Sequence, residues 1–252
     1  MLRRQILATV ELALLICFLS STHAQESRPR SQTNPSTGPT GLLTNRLSSK
    51  ELDRWRAIEE LVFAEDDERH PLHPILRWLW QWIDTSGHAV YIEVVRANRI
   101  STCTAGSFSI ERFDAHGERH VAVIKINLPS IDQAYAGPNA ARADGFIPFT
   151  DLDRDERYAE VLGHEMAHAV YILTDFNRAR MVMTYVEETN KMLLSQYAPR
   201  MSGPMTFDLR TRLSKRDALL KDLEAQAEGV EKKVWRELVE SKSKREKGFS
   251  LK

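Results

Sequence analysis

The sequence predicts an α+β fold, with a small antiparallel sheet beside one long helix and a helical C-terminal half. Three observations carry this. Two β-rich runs, Ser107 to Phe113 and Arg119 to Leu128, flank Asp114-Ala115-His116-Gly117, a turn sequence of the kind that joins hairpin strands. The segment around His164-Glu165-Met166-Ala167-His168 carries Ala159, Leu162, Met166 and Val170 at helical core spacing. From Ala179 to Ser241 the chain favours helix, with one break at Ser202-Gly203-Pro204.

Taken in order, the chain opens with Arg3 and Arg4 and then an apolar run from Ile6 to Leu19, interrupted by Thr9 and Glu11. Ser20-Ser21-Thr22-His23-Ala24 follows as a small-residue cleavage region. The run is shorter than the roughly 20 residues a spanning helix needs. Residues 1–24 are therefore expected to be a signal peptide cut after Ala24. The mature chain would then be exported, as a periplasmic or secreted bacterial protein with no stable membrane insertion. Loss of Cys17 with the signal would leave Cys103 alone, with no internal disulfide. Residues 25–47, rich in Ser, Thr, Pro, Gly and Gln, read as a flexible linker.

The folded domain is expected over 48–241. Ser48 or Ser49 caps a first helix with Leu52, Trp55, Ile58, Leu61 and Val62 inward. A second helix covers Pro74 to Ile83, and its Trp78, Leu79, Trp80 and Trp82 read as core packing. His88 to Val95 is a further β-rich run, and 129–152 is a long loop. Asp153 or Asp155 starts a helix reaching about Leu173. Others follow over roughly Ala179 to Gln196 and Asp208 to Ser241. Residues 242–252 form a basic, solvated tail. The 35 basic and 35 acidic residues cancel, and no basic stripe alternates with aromatics. Nucleic acid is therefore not an expected partner.

Chemistry concentrates in His164-Glu165-Met166-Ala167-His168. Two histidines four apart on a helix lie one turn apart on one face, where both imidazoles can grip one metal ion. Glu165, one residue on, is placed as a general base acting on water. With this motif the sequence resembles the zincin superfamily of metallopeptidases. A catalytic zinc needs a third protein ligand, and no histidine follows His168. Tyr171 and Thr174 stand where metzincins carry Gly and a third His, so that branch does not fit.

A downstream carboxylate is left to complete the set. Glu224 in Leu223-Glu224-Ala225-Gln226-Ala227-Glu228 resembles the E-x-x-A-D segment of the gluzincin-like, membrane-embedded prenyl-protein endopeptidases and their bacterial heat-shock relatives. The resemblance implies Glu224 as metal ligand and Glu228, in place of that family's Asp, as support for a ligand histidine. Glu187 or Glu188 is the alternative, at a spacing resembling the aminopeptidase and thermolysin branches, but without their Asn before Glu and Asp four beyond. The resemblance further implies a zincin-like fold, bound Zn2+, a peptide or protein substrate, and pairing of that substrate with the strand before the metal helix, Val121 to Leu128. Tyr185, Tyr197, Arg210 and Arg212 remain undistinguished as transition-state donors. Two other readings stand beside this one. One is an inactive metal-binding domain; the other is a helical interaction protein docking through Asp208 to Ser241.

Overall fold

A computed structural model of the 252-residue chain describes residues 38–95, 105–112, 119–127, 131, 151–197 and 207–249. The proposed signal, most of the linker, both cysteines, the turn at Asp114 to Gly117 and nearly all of the 129–152 loop lie outside the described residues.

The architecture is α+β, with strands β1 (Gly41–Leu43), β2 (Ala89–Val94), β3 (Gly106–Arg112) and β4 (Val121–Ile126). The helices are α1 (Ser49–Val62), α2 (Pro74–Thr85), α3 (Arg154–Leu173), α4 (Phe176–Tyr197) and α5 (Phe207–Phe249). The sheet order is β1-β2-β4-β3. Only β3 and β4 are antiparallel; β1 with β2 and β2 with β4 run parallel. The expected all-antiparallel sheet is thus corrected to a mixed one. A hairpin advertises itself through its turn, whereas a parallel pair joined by a crossover leaves no local signature. The trace was the run Val121-Ala122-Val123-Ile124, all four buried, as in a central strand covered on both faces.

Strand β1 lies inside the stretch expected as linker. It is held by Gly41 N–H donating to the carbonyl of His88 (2.7 Å) and Leu42 N–H to Oδ1 of Asp84 (2.9 Å). Gly41 adopts φ +93°, and a Cβ there would lie 2.9 Å from Asp84 Oδ1, so the turn into the sheet requires glycine.

The helix starts follow their caps. Glu51 accepts hydrogen bonds from the backbone N–H and hydroxyl of Ser48, each at 2.7 Å, at the head of α1. On α2, Leu76, Leu79, Trp80 and Ile83 face the core. Trp80 packs against Trp55 with ring centroids 5.1 Å apart and planes tilted by 32°, and it meets Phe63 edge-on. Trp78, expected inside, is 53% exposed, because it falls off that helical face.

Helix α3 is the centre of the molecule and touches α1, α2, α4, α5, β3 and β4. Tyr158, Ala159, Leu162 and Met166 are fully buried along it. Helix α5 runs past the expected end at Ser241 and takes in part of the basic tail. Lys242 donates to the Asp151 carbonyl (3.0 Å), and Arg245 pairs with the buried Glu156. That end is pinned to the start of α3. No helix among the described residues is long and apolar enough to cross a membrane.

Candidate metal centre

The helix that carries the site begins with a reciprocal cap. Asp153 Oδ1 accepts from Glu156 N–H (2.9 Å), and Glu156 Oε2 accepts from Asp153 N–H (2.8 Å). Two otherwise orphaned donors are satisfied together, which fixes the first turn and so the phase of every later residue. Further along the helix, that phase turns His164 and His168 toward α5.

There Glu224 meets them. Nε2 of His164 and Nε2 of His168 are 3.1 Å apart. Oε2 of Glu224 lies 3.3 Å from the first and 3.6 Å from the second. Among the described residues this is the one group of His, Cys, Asp or Glu arranged to hold a metal ion. Ligand atoms at tetrahedral angles around zinc, about 2.0–2.1 Å from it, are about 3.3–3.4 Å from one another. The three edges bracket that length, so the triangle fits one face of such a coordination tetrahedron. Two imidazole nitrogens with one carboxylate suit a first-row transition metal rather than Ca2+ or Mg2+.

Behind the triangle, Nδ1 of His164 lies 2.9 Å from Oε2 of Glu231, which follows Glu224 by about two turns of α5. Arg157, about two turns upstream of His164 on α3, stands 3.9 Å from Oε1 of Glu231 and also pairs with Glu160. Glu160 is fully buried, and its Oε1 has no hydrogen-bond partner among the described residues. Burial pushes its pKa up to about 7 despite the neighbouring Arg157. A further rung lies beyond the site, where the Tyr171 hydroxyl donates to Asp222 Oδ2 at 3.1 Å.

Electrostatics around the histidines are steep. Burial works against a charge on His164, but hydrogen bonds with Glu224 and Glu231 and the surrounding carboxylates outweigh it, and its pKa is pushed up to about 10. Burial likewise opposes ionisation of Glu224, yet its bonds to His164 and His168 hold the carboxyl well below the usual carboxylate range. Glu165 is 5% exposed and takes no place in the triangle. Burial pushes its carboxyl up to about 7, against the pull of His168 and His164.

The structure thus brings together His164, His168, Glu165 and Glu224. It does not bring Glu187 or Glu188 to them: both are exposed on α4, and Glu188 pairs with Arg212 at 3.2 Å. Glu228 does not support a ligand histidine either. It is exposed, with Lys232 as its 3.9 Å partner, and Glu231 holds the position expected for it. The strand expected to pair with substrate, Val121 to Leu128, is described as β4 over Val121–Ile126 and is interior, flanked by β2 and β3; among the described strands, β3 is the edge strand that approaches Glu165. Glu231 and Gly106 were not singled out from the sequence. Glu231 had a signal, since two acids seven apart share a helix face. Gly106 had none, because its neighbour Glu165 is distant in the chain. In comparisons with protein families, curated proteins and solved structures, nothing matches this chain.

Proposed function

We propose that the chain is an exported, zinc-dependent metallopeptidase of zincin-like, gluzincin type, hydrolysing peptide bonds with Glu165 as general base. The observation that carries this reading is the triangle of His164, His168 and Glu224, with edges of 3.1, 3.3 and 3.6 Å and a buried carboxyl directly beside it. Those three residues would hold the ion, leaving a fourth position open. When bound, a zinc ion there lowers the pKa of water toward about 7 and polarises a carbonyl.

The chain's own groups supply the rest. Glu165, with its carboxyl brought up to about 7, is matched to proton transfer near neutral pH. It takes a proton from the attacking water as the C–O bond forms, and returns it to the amide nitrogen as the C–N bond breaks. Glu231 keeps the His164 ring oriented through Nδ1. Strand β3, with β4 on one side and no described strand on the other, offers its free edge to an extended peptide or protein substrate.

Metal content of the purified protein tests this, with His168→Ala and Glu224→Ala beside it. About one zinc per chain in the wild type and loss in both variants is the expected result. No zinc after reconstitution would overturn the enzyme reading in favour of a helical interaction protein.

A further inference from the structure

Strand β3 begins at Gly106, and a Cβ built on that residue would lie 2.7 Å from Oε1 of Glu165 and 2.9 Å from its Cγ. The same Cβ would stand 2.9 Å from Cγ1 of Val161. No real Cβ tolerates contacts of this length. Glu165 and Val161 are 5% and 4% exposed, one turn apart on α3, so neither side chain can yield by swinging into water. The strand cannot retreat either. Gly106 is paired with Ile126 of β4, and the carbonyl of Ala105 accepts from Asn127 N–H at 2.8 Å.

We infer that Gly106 is a positioning residue for Glu165: the bare Cα at the head of the edge strand is the surface against which the carboxylate rests. The ligand atoms of His164 and His168 face α5 rather than β3, so a side chain at 106 would displace the base and leave the metal ligands in place. The inference rests on the reading of Glu165 as the base. It gives this glycine a task in the site, where a strand glycine otherwise only weakens its sheet.

The test is a double-mutant cycle by urea unfolding on the full chain, using G106A, E165A and G106A/E165A, with V161A and G106A/V161A as controls. With Glu165 present, G106A is expected to lower the folding constant roughly 10- to 100-fold, the range of an overpacked site. In the E165A background the loss should shrink by at least about threefold, to what the Val161 overlap alone leaves. Zinc affinity, by chelator competition, should be unchanged by G106A. Where the wild type cleaves labelled casein, G106A should lower kcat and leave KM in place.

An equal loss with and without Glu165, a loss relieved by V161A alone, or no loss at all overturns the inference. If G106A alone does not fold, folding of G106A/E165A supports it, and failure of both overturns it. The cycle uses no substrate and no metal. A wild type that binds no zinc or cleaves no casein therefore sinks the peptidase reading, while the contact between Gly106 and Glu165 is still decided by the unfolding data.

Discussion

Glu231 accepts a hydrogen bond from Nδ1 of His164 at 2.9 Å, while Nε2 of the same ring is the atom 3.3 Å from Glu224. A carboxylate has no proton to offer, so the ring must donate from Nδ1, and Nε2 is left as the nitrogen that can take a metal. Replacing Glu231 with Ala removes that constraint and frees the ring to rotate. Metal affinity should fall about 10- to 100-fold, by competition with a chromophoric chelator. Glu228→Ala, on the solvent side of the same helix, should stay within about threefold of wild type. Equal losses would return the supporting role to Glu228.

The same pair makes metal uptake a proton exchange. Below its pKa of about 10, His164 carries a proton held by Glu224 and Glu231, and a metal ion must displace it. Apparent affinity should therefore rise by about one order of magnitude per pH unit between about pH 6 and 9. Calorimetry in two buffers of different ionisation enthalpy should show about one proton released per ion bound. Uptake without pH dependence would mean that His164 is neutral in the metal-free chain.

What the sequence disclosed depended on the range of the interaction. Helix α3 was readable end to end, because Asp153 and Glu156 cap it locally and its buried stripe repeats every three or four residues. The hairpin strands β3 and β4 were readable for the same reason, whereas β1, three residues long and paired in parallel, carried no pattern at all. Within the site, His164 and His168 needed only helix geometry. Glu224 was singled out through a family resemblance, and its contact with the histidines depends on how α5 crosses α3. The choice between Glu228 and Glu231 shows the limit sharply. Spacings of four and of seven both fall within the width of one helical face, so only the packed seam separates them.

Glu165→Gln preserves size and removes the base. The variant should keep about one zinc and lose 10²- to 10⁴-fold, roughly, in hydrolysis of labelled casein. Because Glu165 stands outside the triangle, loss of zinc in this variant would place it among the ligands instead. Unchanged hydrolysis would show that another group moves the proton. A chain that binds zinc stoichiometrically, yet cleaves nothing before or after the change, would be a metal-binding domain without catalysis.

At the other end of the molecule, acid stability turns on His73. This residue precedes α2, is 2% exposed, and has Nε2 3.4 Å from the hydroxyl of Ser241 on α5. Burial, aided by the charge of Arg245, pushes its pKa down to about 4. In an unfolded chain the same ring takes up its proton near the ordinary histidine value of 6.5. Between these values the unfolded state binds a proton that the folded state refuses. The contribution of His73 is therefore fully present above 6.5 and is lost as pH falls toward 4, by about 1–3 kcal/mol. Glu160 and Glu165, both raised to about 7, work in the opposite direction, since folding favours their protonated forms. The difference between wild type and His73→Gln, by urea unfolding at pH values from about 7.5 to about 4.5, removes those shared terms. That difference should shrink as the pH falls, because the wild type alone loses stability through the histidine. A difference constant across the window would show that the buried ring accepts a proton as readily as a free one.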